Sequence, residues 1–174
     1  MKTLKLKNYF FIAGVFNGQI SLAQWLSGQN LHGPVSRART RFLKLIQPRL
    51  VELDEEKKKM TEEYAEKKSV KDGDKKVEKV VFLDEKGKDT TDPKLGRNYK
   101  IKDVTAFNKA YGDYLNEDFI IDVTPSNREI IYGVKDLLLS TEDEFKGGMA
   151  EIYDGWCESF ENIAEDKEEK KDEK

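Results

Sequence analysis

One short run carries residues whose type and spacing suit a binding chemistry. It is Ser36-Arg37-Ala38-Arg39-Thr40-Arg41-Phe42-Leu43-Lys44, with four cations in nine positions. On a helix turning about 100° per residue, Arg37, Arg41 and Lys44 share a narrow face. Such a face can track phosphates or an acidic protein surface. Arg39 falls instead beside Phe42 and Ile46, where a guanidinium needs an internal carboxylate or a bound anion. Two readings follow. Arg37, Arg39, Arg41 and Lys44 form an interaction surface, or the face is solvated and Arg39 pairs with a carboxylate from the acidic second half. The second arrangement is the commoner one, because basic helix faces are mostly exposed to solvent.

No comparable constellation supports catalysis. Cys157 is the only cysteine and His32 the only histidine. An intrachain disulfide, a thiolate zinc site and a His-rich metal site are therefore excluded. His32 lies in the loop-like Gly28-Gln29-Asn30-Leu31-His32-Gly33-Pro34 with no nucleophile motif near it. Cys157 follows Trp156 on an expected helix and reads as a small packing residue. Neither common glycine-rich phosphate loop occurs. The 34 acidic residues are spread over solvated faces, and no pair stands out as an acid/base couple. The residues thus supply no catalytic, cofactor-binding or metal site, and an enzyme is the least supported class.

Charge organises the chain. Residues 1–51 hold eight Lys and Arg and no acid, a segment charge of +8, although the whole chain of 174 residues carries only −3. The remainder has 23 bases against 34 acids, or −11. One end is a candidate anion-facing surface and the other is acidic. No apolar run approaches the roughly 20 residues of a membrane-spanning helix. Near the start, Lys2, Lys5 and Lys7 precede the apolar Tyr9–Phe16. That outline resembles a secretory signal, but the apolar stretch is short and Asn17-Gly18-Gln19 interrupts it. A short helix tucking its aromatic face into the core is the expected structure there.

The elements that must position the basic run can be read from periodicity and punctuation. A long helix is expected from Gly33-Pro34 to about Lys68, since proline suits the first helical turn. Its stripe is Val35, Phe42, Ile46, Leu50, Leu53, Met60 and Tyr64, and Pro48 should kink or break it between Ile46 and Arg49. Ser69–Lys76 reads as a polar linker. Val77–Leu83 and Asn98–Lys102 read as strands of a long-looped hairpin. Asp103 is placed to cap a helix bearing Phe107, Ala110, Tyr111 and Tyr114. Phe119–Val123 reads as a third strand. Two capping boxes, Ser126–Glu129 and Thr141–Glu144, predict the starts of two C-terminal helices. The first should bury Ile130, Ile131, Val134, Leu137 and Leu138, and the second Phe145, Met149, Ile152, Trp156, Phe160 and Ile163.

The expected fold is therefore α+β and helix-dominated, with a long N-terminal helix, a small antiparallel sheet and two C-terminal helices. Residues 1–163 are read as a single compact domain with a charged arm and hairpin insertion around 52–102. Residues 164–174 are read as a disordered acidic tail.

Several blocks resemble a family of small accessory proteins from tailed phages and prophages of Gram-positive bacteria. They are Leu4-Lys5-Leu6-Lys7-Asn8-Tyr9, Ser36 to Leu45, Tyr99-Lys100-Ile101-Lys102-Asp103 with Phe107-Asn108, Leu115-Asn116-Glu117, and Tyr153-Asp154-Gly155-Trp156-Cys157-Glu158. The likeness covers most of the chain outside the Lys/Asp-rich middle and the acidic tail. That family is a domain of unknown function, so no catalytic residue carries over. The resemblance implies a phage accessory protein working in the host cytoplasm. Three roles are compatible with it: a non-enzymatic protein-binding factor that modulates a host process or defence system, a structural or tail-assembly factor, and a nucleic-acid-binding protein using helix 36–44.

Overall fold

The computed structural model describes residues 2–16, 18–73 and 75–165, with the backbone alone at 164 and 165. It is a helix-rich α+β fold. The chain divides into two compact units, one from residues 1–50 with 115–174 and the other from residues 51–114.

The first unit is built on a strand that alternation in Lys2–Lys7 encodes. In β1 (Lys2–Lys7) Leu4 and Leu6 are fully buried while Lys5 is exposed, the period of two that a half-covered strand requires. β1 is the middle of a three-stranded antiparallel sheet. Along its length it pairs β7 (Asp118–Val123), from Lys2 opposite Val123 to Lys7 opposite Asp118. On its other side Lys2 and Thr3 pair with β8 (Ala164–Glu165). Ala164 and Glu165, expected to begin a tail, thus extend the sheet, because β1 offers them an open edge. The rest of the expected tail lies outside the described residues.

After β1 the chain makes one turn of 3₁₀ helix, Asn8–Phe10, shorter than the helix expected over Tyr9–Phe16, and it buries the Phe10 and Phe11 rings as expected. Buried Gln19 ties the following loop together. Its Nε2 donates to the Tyr9 carbonyl at 2.7 Å, and its Oε1 accepts the Phe16 N–H at 3.1 Å. A helix then runs over Leu22–Gly28, here α1. Ser21 Oγ accepts the Gln24 N–H and Gln24 Oε1 accepts the Ser21 N–H, a complete capping box.

The long helix, α2, spans Gly33–Tyr64 and passes through Pro48 without a break. Proline removes one helical donor and costs about 3 kcal/mol in a helix interior. Lys44, whose carbonyl loses that donor, and Pro48 are both exposed, so water can satisfy the carbonyl. Fully buried Phe42 and Ile46 anchor the preceding turns. Packing therefore outweighs the local penalty.

Two helices complete the first unit, α4 (Arg128–Ser140) and α5 (Gly148–Glu161). Ile131, Val134 and Leu138 of α4 and Ile152, Trp156 and Phe160 of α5 are buried with Leu4, Leu6, Leu22 and Leu26. The Phe42 and Phe160 rings lie 5.7 Å apart and the Trp25 and Trp156 rings 5.9 Å apart, distances suited to aromatic packing. Neither expected capping box forms. Ser126 Oγ lies 2.8 Å from Thr124 Oγ1. Asn127 is the residue before α4, its amide accepting the Thr124 N–H and donating to the Asp122 carbonyl. Thr141 ends α4, and α5 starts only after Gly147, whose φ of 57° favours glycine. Asp143 is engaged elsewhere, by the Trp25 Nε1 at 2.7 Å and the Gln29 Nε2 at 2.8 Å.

In the second unit, β2 (Lys67–Asp72) pairs antiparallel with β3 (Lys75–Val80). The expected linker Ser69–Lys76 is thus largely a hairpin, with Val70 opposite Val77. The expected strand Val77–Leu83 divides at buried Val81, whose N–H donates to Glu66 and whose carbonyl accepts from Lys100. β4 (Phe82–Leu83) then lies between β5 (Asp89–Thr90) and β6 (Asn98–Tyr99). Phe82 faces Tyr99, the long-looped pairing expected from the sequence. In α3 (Val104–Leu115), Asp103 Oδ1 accepts the Ala106 N–H at 2.9 Å, so Asp103 caps the helix as expected. Tyr64, Phe107, Tyr111 and Tyr114 form a ladder of neighbouring rings.

Candidate functional site

Arg37, Arg39, Arg41 and Lys44 all lie on α2 within the first unit, and the structure separates their roles. Arg37 and Arg41 are exposed and stand one turn apart. Both line a groove of about 460 Å³ between the first turns of α2 and α4. Lys44 is exposed on the same side but does not line the groove. Arg39 is half-buried and turned toward α1.

No carboxylate among the described residues pairs with Arg39. Its Nη1 donates to the Gln29 carbonyl at 2.9 Å and reaches the Leu26 carbonyl at 3.5 Å, and its Nη2 reaches Ser36 Oγ at 3.4 Å. The expected internal ion pair is therefore replaced by the carbonyl end of α1. A helix leaves its last carbonyls without intrahelical donors, and its C-terminal end carries partial negative charge. A forked guanidinium meets both needs at once.

The groove floor is apolar. It is lined by Val35 and Ala38 from α2 and by Ile130 and Gly133 from α4. At this point the two helices approach so closely that a Cβ built on Gly133 would lie 2.8 Å from the Ala38 Cβ. Val35, expected in the buried stripe, is 40% exposed, and Ile130 is half-buried. These positions sit at helix starts, where the core-facing stripe has run past the core and reaches solvent.

Glu129 stands exposed on the groove rim. It is available there because the capping box that would have turned it back toward Ser126 does not form. Beyond it lies a second hollow of about 420 Å³ lined by Lys2, Val123, Thr124, Pro125, Arg128 and Glu129. The Arg128 guanidinium lies 5.6 Å from the Tyr132 ring centre, a cation–π contact that leaves its charge uncompensated. No salt bridge among the described residues involves Arg37, Arg41 or Arg128. The region is thus a cationic rim over an apolar floor. Lys2 and Arg128 were missed in the sequence because they are isolated cations far apart in the chain. Only the β1–β7 pairing, which sets Lys2 opposite Val123, brings them together.

The remaining polar clusters of this unit have structural partners. Hydrogen bonds from Trp25 and Gln29 hold the Asp143 carboxyl below the usual aspartate range. Burial, with a hydrogen bond to Cys157 secondary, pushes the Tyr153 phenol up to about 12, and its hydroxyl donates to the Leu138 carbonyl at 2.6 Å. Burial also raises the Cys157 thiol, the opposite of what a nucleophilic thiolate needs. Among the described residues, no three or more His, Cys, Asp and Glu side chains gather where they could hold a metal ion. No helix among them is long and apolar enough to cross a membrane.

No family model, curated protein or solved structure matches the chain.

Proposed function

We propose that the chain is a non-enzymatic protein-binding factor and that the groove between α2 and α4 is its contact surface. The observation that carries this reading is the pairing of Arg37 and Arg41 over the apolar floor of Val35, Ala38, Ile130 and Gly133. Solvated basic faces are common, but a basic rim enclosing exposed apolar surface resembles the core and rim of an interface. The resemblance of the sequence blocks to accessory proteins of tailed phages and prophages of Gram-positive bacteria supports a role of this kind for the chain. The factor would then act in the host cytoplasm to modulate a host process or defence system.

A tagged full-length chain recovered from infected cells, with mass spectrometry, tests the reading. A host protein retained by the wild type and lost when Arg37 and Arg41 become Glu supports it. Recovery of no protein partner at micromolar concentrations overturns it.

A second reading, a structural or tail-assembly factor, draws on β7. That strand lies at the edge of its sheet and leaves Ile120 54% exposed, a surface suited to self-association. Recovery of virion proteins, or of the chain itself, favours it. Nucleic-acid binding has less support, since Arg39 is committed to backbone carbonyls and the groove floor is apolar.

A further inference from the structure

We infer that the groove takes an acidic segment of a partner protein, one that carries a large apolar side chain between two carboxylates. This rests on the protein-binding reading and specifies the partner's chemistry. Arg37 and Arg41 are four residues apart on α2, so their Cα positions are separated by about 6 Å along the helix axis. Carboxylates four apart on a helix have the same separation, and an apolar residue at the third position after the first shares their face. Each guanidinium can fork onto one carboxylate, which gives both orientation and charge complementarity.

Beside the two arginines the groove is lined by apolar residues. Val35 is 40% exposed and Ile130 half-buried, so an incoming aliphatic or aromatic side chain would cover surface now open to water. The groove volume of about 460 Å³ lies within the range of sites that enclose small ligands or side chains.

The same floor argues against a phosphate backbone, which would bring no apolar group to cover it. Glu129 on the rim can accept an N–H or a Lys from a protein segment. Arg128, in the adjoining hollow, continues the positive side past Glu129. A segment longer than the groove therefore finds a further cation at that end.

Selection of short random peptides displayed against the full-length chain tests the inference. Peptides enriched on the wild type should pair Asp or Glu residues around a Leu, Ile, Phe or Trp. Their affinity should fall at least about tenfold for R37E/R41E, the effect expected when interfacial charge pairs are reversed. R37K/R41K should retain more of the affinity than R37E/R41E does, and replacing the peptide's apolar residue by Ser should also weaken binding. Circular dichroism and thermal melting should show both double variants folded, since the two arginines are exposed.

Enrichment without acidic bias overturns the inference, as does equal affinity for R37E/R41E. A single-stranded oligonucleotide that binds the wild type in place of peptides, with a steep salt dependence lost in R37E/R41E, overturns it in favour of nucleic acid. Failure to enrich any peptide while infected cells still yield a protein partner overturns the groove chemistry alone. Failure of both experiments removes the protein-binding reading too.

Discussion

Ala38 and Gly133 meet across α2 and α4 with no room for a methyl group between them. A Cβ on Gly133 would stand 2.8 Å from the Ala38 Cβ. This contact sets the distance between the two helices that wall the groove. Gly133→Ala should therefore destabilise the chain by roughly 1–3 kcal/mol through overpacking, despite the better helix propensity of alanine. In an Ala38→Gly background the same change should be neutral or stabilising. Urea unfolding of the two single variants and the double variant measures the coupling, and additive effects would show that the helices do not touch there.

Arg39 and its neighbours Arg37 and Arg41 should separate by phenotype. Arg39→Ala removes a donor to the Gln29 and Leu26 carbonyls and should cost about 1–3 kcal/mol of stability. Arg39→Lys should recover only part of this, because a single ammonium nitrogen cannot stand both where Nη1 meets the Gln29 carbonyl and where Nη2 meets Ser36 Oγ. Reversing Arg37 and Arg41 should change stability by less than about 0.5 kcal/mol, as for exposed positions generally. Equal melting temperatures for the Arg39 variants and the wild type would contradict the assignment.

Asp143 should make folding sensitive to acid. Its carboxyl is held below the usual aspartate range by donors on Trp25 and Gln29. A group with a lowered folded pKa contributes stability that is complete above its unfolded pKa and is lost as pH falls through the folded value. Asp143→Ala should thus be less stable at neutral pH by about 1 kcal/mol. Its stability should fall less steeply below about pH 4 than that of the wild type. Tryptophan fluorescence during acid titration reads both effects, since Trp25 itself loses its partner.

Tyr153 should govern the alkaline limb. Burial pushes its phenol up to about 12, so its neutral form contributes stability that is complete below about pH 10. That contribution disappears as pH rises through about 12. Tyr153→Phe, which cannot ionise, should unfold less steeply across this window while losing the hydrogen bond to Leu138.

Cys157 should be inert in the folded chain. Its thiol is buried and its pKa raised, so disulfide-exchange reagents at neutral pH should label it far more slowly in buffer than in denaturant. Rapid labelling under native conditions would show that α5 opens locally.

The helix-dominated α+β class was legible in the sequence, as were the start of α2 at Gly33, the Asp103 cap, the strand over 119–123 and the long-looped pairing of 77–83 with 98–102. All but the last depend on periodicity or on a residue acting within a few positions of itself, and the last on strand composition. β1 also had a signal, the alternation around Leu4 and Leu6, but the lysines before an apolar run suggested a signal peptide or a helix instead. The Ser21–Gln24 capping box has a local signal too, a Ser three residues before a Gln.

For the candidate site, the sequence by itself determined that Arg37 and Arg41 share an exposed helix face, because helical geometry fixes which residues neighbour each other at three and four positions. Only the tertiary structure decided what lies beside that face. The β1–β7 register brought Lys2 to Val123, the small contact at Gly133 drew α4 against α2, and the carbonyl end of α1 claimed Arg39. The carboxylate of Asp143 likewise went to Trp25 and Gln29 rather than to a local cap. Polar side chains have several partners of similar local merit. The choice among them falls to whichever long-range packing delivers a partner with least loss of hydration, and a linear pattern does not encode that competition.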